Sequence, residues 1–572
     1  MAAGREVYRS KCLHCHGEGG RGDGAAAERL DPRPRDFTKG LFKFRTTATG
    51  ELPTDEDLFR VVTRGVPGTA MPGFEKLPPE RRRQVIHYIK TFAADFSDPA
   101  LDPRQAVVPL GEPTPGGPDA LERGKRLYQE ESKGGCVKCH GRRGRGDGPE
   151  AGTHKDDWGF PILPADLTKP WRYKNGPGLR DIYRTLSTGM NGTPMPGYGD
   201  ALSAAERWDL ARYVRSLIEE LPDAGERPLL AIRGAGPLPE GPEDPTWRRV
   251  SSVRVRLLGQ LVARPRLFRP SIDALTFQAV HNGREIAIRL TWNDRTRSLG
   301  GSRDGAGLQF PARTDGDRLP YLLRGEADRP VVLWRWEAGK GVSALRAAGL
   351  ANPPAPGDGV RVEVRASFQN GRWALTFRRL LKAGKGGFSP GGFIPVAFGL
   401  WDGGRGEGNL RRAISPWHTL YLAPEAAAPR RPPRPRPASP RIVHPMLPEQ
   451  YEGLENPLRK DGKQLRHHIE AGAKVYYRNC VLCHGDELDG KGLFAPALDL
   501  KPADFADPET IGQLHESYLF WRIREGGQGL PGESQPWNSA MPAWKDALSE
   551  EEVWQVVMFL FDAIGEKPRS WR

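Results

Sequence analysis

Cys12-Leu13-His14-Cys15-His16 stands just after the start of the chain, and the same spacing returns at Cys136-Val137-Lys138-Cys139-His140 and Cys480-Val481-Leu482-Cys483-His484. These segments hold all six cysteines of the 572 residues. At this composition chance would supply about 0.001 copies of Cys-x-x-Cys-His, so three copies are a built feature. Two thiols three residues apart, followed directly by an imidazole, are the attachment pattern for covalent haem. The thiols add to two vinyl groups of one porphyrin, and the histidine lies under the iron as its proximal ligand. A zinc ribbon would need its Cys pairs about 15–20 residues apart, and a dithiol redox pair has no need of the trailing histidine. Cys12, Cys15, Cys136, Cys139, Cys480 and Cys483 are therefore the expected attachment points of three haem c groups, with His16, His140 and His484 on the metal.

Each motif opens a longer repeat. A glycine turn follows it (Gly22-Asp23-Gly24, Gly146-Asp147-Gly148, Asp489-Gly490-Lys491-Gly492), then an acidic-apolar step (Asp36-Phe37, Asp166-Leu167, Asp504-Phe505). A Met-Pro turn closes the repeat at Met71-Pro72, Met195-Pro196 and Met541-Pro542, which lie 55, 55 and 57 residues beyond the motif histidine. A thioether at constant distance, stiffened by proline, is what a distal iron ligand requires, and the chain has only seven methionines. Met71, Met195 and Met541 are the expected sixth ligands. Met190 lacks the Met-Pro context, and Met446 and Met558 read as linker and helix core. Apolar spacing predicts helices over 3–11, 120–131 and 465–478 before the motifs, each with a tyrosine on the face leading to the cysteines. It predicts helices over 79–92, 203–217 and 549–561 after the methionines, with Ser203 and Ser549 as N-caps. His14, His87, His154, His467, His468 and His515 are expected to be surface or packing residues.

These motifs resemble the class I c-type cytochromes, met three times over 1–97, 119–222 and 463–566. The resemblance implies three all-α cytochrome c domains with axial pairs His16/Met71, His140/Met195 and His484/Met541. A doubly ligated iron suits electron transfer, leaves no open position for oxygen or peroxide, and sits at a raised potential.

Between the second and third repeats the period changes from 3.6 to 2. Val253–Leu257, Glu285–Trp292, Val360–Arg365 and Arg372–Arg378 alternate apolar and polar residues between Gly, Asp and Pro turns, which predicts an all-β sandwich. Phrases such as His281-Asn-Gly-Arg-Glu-Ile-Ala-Ile-Arg-Leu-Thr-Trp-Asn-Asp294, Val332-Leu-Trp-Arg-Trp336 and Ile394-Pro-Val-Ala-Phe-Gly-Leu-Trp-Asp-Gly403 resemble the haem b-binding γ-subunit of the ethylbenzene dehydrogenase and dimethyl sulfide dehydrogenase family. That resemblance implies an electron-carrying subunit of a periplasmic molybdenum enzyme. The family holds its haem b between Met and Lys; this segment has no Met, and Asn409-Leu-Arg-Arg-Ala413 stands where the Lys is expected. The expectation is a domain that kept the fold without haem b, with His281 and His418 as strand or turn residues.

The resulting division is cytochrome c domain 1 (1–97), a linker (98–118), cytochrome c domain 2 (119–222), a linker (223–247), the sandwich (248–422), a Pro/Arg-rich linker (423–447) and cytochrome c domain 3 (448–572). The linker's Pro429–Pro440 run reads as an extended basic tether. Net charge is +14 but uneven: residues 245–425 carry 29 Lys and Arg against 14 Asp and Glu, whereas 448–572 carry 14 against 21. The basic sandwich is expected to dock an acidic partner and the acidic third domain a basic one. No aromatic and basic interleaving points to nucleic acid, and no apolar run reaches 18 residues, so no transmembrane segment is expected. The N-terminus reads as a mature end, and haem attachment through cysteine implies a periplasmic or extracellular protein. No nucleophile triad, phosphate cradle or paired-carboxylate site stands out, so the expectation is a carrier rather than an enzyme. It would move electrons between a periplasmic oxidoreductase, such as a molybdenum enzyme, and other cytochromes. The alternatives are a haem enzyme of peroxidase or sulfur-compound dehydrogenase type, which would need a vacant distal position, and a polymerising electron conduit.

Overall fold

A helix leads into each cysteine motif, and a single further turn carries its second cysteine and histidine. The computed structural model describes residues 1–567 apart from 226, 235, 314–318, 358, 383–387, 425–446, 459–461, 499, 508–510 and 528–538. Nearly all of the 423–447 linker, with Met446, lies outside the described residues. The chain groups into two compact units, Met1–Glu220 with Ala473–Asp486, and Leu221–Gly472 with Glu487–Arg572.

The first unit holds two copies of one arrangement. The first copy is α1 (Ala2–Lys11), α2 (Leu13–His16), α3 (Asp55–Arg64) and α4 (Pro79–Lys90). The second is α5 (Ala120–Gln129), α6 (Val137–His140), α7 (Leu179–Thr188) and α8 (Ala204–Ser216). Reciprocal capping boxes, Thr54 with Asp57 and Ser203 with Glu206, start α3 and α8 by satisfying backbone N–H groups that lack a helical partner. The first helix of each copy packs on the last, and glycine sets how closely. A Cβ on Gly4 would lie 2.1 Å from the Gln84 carbonyl oxygen, and one on Gly124 equally close to that of Asp209. Around each crossing the apolar faces close a core, with Val7, Tyr8, Leu58, Val85 and Ile86 in the first copy and Leu127, Tyr128, Ile182, Trp208 and Leu210 in the second.

The segment expected as a 98–118 linker is laid back along the first copy. Asp98 and Asp102 cap two tight turns; the Val108 N–H donates to the Thr46 carbonyl at 2.8 Å and the Ala48 N–H to that of Ala106 at 2.9 Å. The two copies also bind each other. Fully buried Arg45 donates to the Thr188 carbonyl at 2.6 Å. Asn191 accepts from the Gly50 N–H at 2.9 Å and donates to the Glu51 carbonyl at 3.1 Å. The Arg35 guanidinium lies 4.1 Å from the centre of the Trp158 ring.

In the second unit the period-2 segments form strands. They are β1 (Leu229–Arg233), β2 (Val253–Arg256), β3 (Leu258–Gly259), β4 (Ala274–His281), β5 (Glu285–Asn293), β6 (Gly305–Pro311) and β7 (Val331–Glu337). The series continues with β8 (Gly341–Ala347), β9 (Ala355–Pro356), β10 (Glu363–Phe368), β11 (Arg372–Leu380), β12 (Phe393–Trp401), β13 (Ala413–Ile414) and β14 (His418–Leu422). Pairing runs β10-β11-β5-β4-β1-β14-β12-β6-β7-β8-β9. β12 is the corner: Phe393–Val396 pair with β14, and Ala397–Trp401 with β6. The sheet therefore folds over on itself as a sandwich. Trp336 of β7 meets Trp373 of β11 edge-on at 4.9 Å, and Phe277 of β4 meets Phe398 of β12 at 5.8 Å. Ile286, Ile288, Leu290 and Trp292, alternate residues of β5, all point into this core.

One strand lies where the sequence presents a linker. β1, inside 223–247, runs parallel between β14 and β4. Downstream of it Leu238, Trp247 and Val250 cover the outer face of Val280 and Ala287. Leu229-Leu-Ala-Ile232 is an unbroken apolar run with no alternation to read, and the Pro and Gly around it mask the strand.

The C-terminal helices are α9 (Gly462–Asn479), α10 (Val481–His484), α11 (Glu516–Glu525) and α12 (Glu550–Ala563). A capping box between Ser549 and Glu552 starts α12, and Met558 is buried in it as expected. The close crossing recurs, since a Cβ on Gly472 would lie 1.9 Å from the Gln555 carbonyl oxygen.

Candidate functional site

All three cysteine motifs fall in the first unit, each as a turn tied down by the same bond. The Tyr8 hydroxyl donates to the Gly17 carbonyl at 2.6 Å, Tyr128 to Gly141 at 2.7 Å, and Tyr476 to Gly485 at 2.7 Å. The tyrosine comes from the preceding helix and the glycine directly follows the motif histidine. That glycine takes φ of +80°, +75° and +78° in the three copies, which a side chain would resist. The chain reverses there: the Gly22 N–H returns to the His16 carbonyl at 2.8 Å and the Gly146 N–H to that of His140 at 2.9 Å.

The acidic-apolar step then closes over the turn. The N–H of Phe37 donates to the Gly20 carbonyl at 2.7 Å, Leu167 to Gly144 at 2.6 Å, and Phe505 to Leu488 at 2.7 Å. The aspartate before each accepts the N–H two residues later. Phe37 stacks on the His16 ring at 4.4 Å. With the chain held there, His16 Nδ1–H donates to the Arg35 carbonyl at 2.9 Å and His140 Nδ1–H to that of Ala165 at 3.0 Å. A carbonyl on Nδ1 fixes the tautomer and leaves the Nε2 lone pair for a metal. Burial pushes His16 down to about 4, so its imidazole is neutral. Burial likewise pushes the thiols of Cys15, Cys136, Cys480 and Cys483 up to about 12, and raises those of Cys12 and Cys139. None of the six is in a disulfide. Reduced thiols beside a neutral, oriented imidazole fit thioether-linked haem.

The Met-Pro turns also share one build. The N–H of Met71 donates to Thr69 Oγ1 at 3.1 Å, that of Met195 to Thr193 Oγ1 at 3.3 Å, and that of Met541 to Ser539 Oγ at 3.3 Å. Each turn presses on a left-handed glycine that ends the helix before it. A Cβ on Gly65, Gly189 or Gly526 would lie 2.4–2.6 Å from the backbone of the residues that follow the methionine. Met71 and Cys12 pack against one apolar cluster, and Met195 and Cys136 against another. Met541 belongs to the second unit and His484 to the first.

Two histidines carry more than the sequence suggested. His14 stacks on Tyr477 at 4.3 Å, and Arg29 donates to the Arg478 carbonyl at 2.9 Å, so the first motif and the third lie side by side. His154 Nε2 lies 3.1 Å from Cys139 Sγ. In the sandwich both nitrogens of His281 are engaged: Nε2–H donates to the Ala423 carbonyl at 2.9 Å, and Nδ1 accepts the Gly283 N–H at 3.3 Å.

Family models cover all three motif regions. Residues 121–217 match the family described as cytochrome c, and residues 1–89 and 467–560 match cytochrome c oxidase, cbb3-type, subunit III. A candidate respiratory nitrate reductase haem subunit of Haloferax mediterranei is 27% identical over 204 residues, 33% of this chain and 71% of that one. A solved reducing HAO-like protein complex of Kuenenia stuttgartiensis is 42% identical over 38% of this chain and 97% of that one, at a TM-score of 0.37. Cytochrome c6 of Bryopsis maxima is 31% identical over 98 residues, 17% of this chain and 94% of that protein. With three copies of the attachment turn and a whole small cytochrome matched along its length, the chain belongs to the c-type cytochromes and serves electron transfer.

Proposed function

We propose that the chain is a three-haem electron-transfer subunit that works outside the cytoplasm, between an oxidoreductase and other redox carriers. The observation that carries this reading is the threefold recurrence of one attachment turn within a single compact unit. Cys12 with Cys15, Cys136 with Cys139 and Cys480 with Cys483 would hold the porphyrins, and His16/Met71, His140/Met195 and His484/Met541 the irons. When bound, haem supplies an iron that cycles between ferric and ferrous. The chain's own contribution is to orient the imidazoles through Nδ1, hold the methionines on stiff turns and keep the turns dry. The oxidoreductase is proposed to be a molybdenum enzyme, on the sandwich's likeness to the ethylbenzene dehydrogenase γ-subunit. In this reading the sandwich serves docking and carries no haem b; the two engaged nitrogens of His281 and the lack of Met in 248–422 support it.

The test is a pyridine haemochrome and iron assay on the purified protein, with a spin-state spectrum. Three c-type haems per chain, all low-spin, and no b-type band are expected. A b-type band overturns the reading of the sandwich, and a high-spin haem at rest overturns that of a pure carrier. Met195→Ala should turn one haem in three high-spin and lower its potential.

A further inference from the structure

Outside the haem region, three aspartates converge at one end of the sandwich. Asp294 follows β5, Asp304 precedes β6 and Asp402 follows β12, and a carboxylate oxygen of each lies within 4.8 Å of the others. They are 4%, 0% and 6% exposed. Among the described residues, none of the three aspartates forms an ion pair with a Lys or Arg. Glu407, also buried, is turned to the Ser271 N–H and hydroxyl, both at 2.9 Å. So much negative charge is costly in a protein interior unless protons or a cation compensate it.

Two further observations point to what is held there. Asp294 Oδ2 is buried and accepts no hydrogen bond, although Oδ1 of the same group takes the Thr296 N–H at 3.1 Å. Asp304 accepts three N–H groups, from Ser298 and Trp373 on Oδ2 and from Gly403 on Oδ1, which leaves Oδ1 a free lone pair. Three more oxygens lie close around Gly404, among them Asp402 Oδ1, which also accepts the Arg405 N–H at 3.2 Å. A Cβ there would stand 2.6 Å from Thr296 Oγ1 and 3.1 Å from both Asp402 Oδ1 and Ser298 Oγ. The sequence supplies these donors at every second residue, Asp294-Arg-Thr296-Arg-Ser298, with Asp304 and Asp402 brought in by the fold.

We infer that Asp294, Asp304 and Asp402, with the hydroxyls of Thr296 and Ser298, form a divalent cation site in the sandwich, of the calcium class. The donors are all oxygen, which suits a hard cation and disfavours zinc or copper. Carboxylates and hydroxyls on loops between strands suit the variable coordination of calcium better than the strict octahedron of magnesium. The site would clamp the loops after β5, before β6 and after β12, which are the three strand ends meeting there.

Binding is read on the full-length holoprotein after chelator treatment, by calorimetric titration with Ca²⁺ and by Tb³⁺ luminescence excited through tryptophan. Trp373 is a built-in sensitiser, since its indole N–H donates to Asp304 at 3.1 Å. One ion per chain, and a higher melting temperature of the sandwich with Ca²⁺ than with chelator, are expected. Asp294→Asn and Asp402→Asn should each weaken binding by more than about tenfold. Gly404→Ala keeps every carboxylate but crowds the oxygens, and should weaken binding too. Trp373→Phe should weaken the sensitised emission, to which Trp292 and Trp401 also contribute, while calorimetry still reports Ca²⁺. Absence of both heat and emission in the wild type, or undiminished binding in the Asp294→Asn/Asp402→Asn double variant, overturns the site.

Discussion

One tyrosine hydroxyl recurs at each attachment turn, and its removal should be felt locally. In Tyr128→Phe the Gly141 carbonyl loses a buried donor, which should cost about 1–2 kcal/mol in denaturant unfolding. Haem content should be unchanged, because the thiols and imidazole stay. A second residue-scale expectation concerns His418, which burial pushes down to about 4. In the unfolded chain an imidazole protonates near about 6.5. Between those values the unfolded state binds more protons, so stability falls as pH drops from about 6.5 towards about 4 and is level above. Unfolding midpoints of His418→Phe should lack that component across this window. Residues were the most legible scale. Cysteine, histidine and methionine announce their chemistry by type and spacing, whereas the carbonyls that orient His16 and His140 lie 19 and 25 residues away. Any residue can offer a carbonyl, so the sequence carries no mark of them.

Among the elements, helix crossings matter most, and glycine decides them. Gly124→Val would drive a side chain into the Asp209 carbonyl and should destabilise the second copy by about 1–3 kcal/mol. Ser203→Ala removes only a cap and should cost about 1 kcal/mol. Measured together by thermal unfolding, the glycine change should be the larger. The helices were readable from apolar spacing, and the caps from Ser followed three residues on by Glu. The glycines at the crossings were not, since nothing in the local sequence separates a glycine that admits a neighbouring backbone from one in a turn. Strand patterning was legible where apolar and polar residues alternate, in the nine-residue β5 and β11 and equally in the short β2 and β10. β1 escaped because it is buried between parallel neighbours and shows no alternation to read.

At the scale of the molecule, charge is the lever. The excess of Lys and Arg over 245–425 should steer an acidic partner, so the rate of electron exchange should fall several-fold between about 20 and 200 mM salt. Rates flat across that series would leave the charge layout without a role in encounter. The grouping of Ala473–Asp486 with Met1–Glu220 has a different consequence, for biogenesis. A ribosome making this chain completes the first two attachment turns long before the third exists, so the nascent first unit waits for its last piece while residues 221–472 emerge. Bringing that piece home closes a loop of some 250 residues, at an entropic cost of about 5 kcal/mol. Truncation anywhere before Asp486 therefore leaves an incomplete unit with a face prepared for a segment that never arrives.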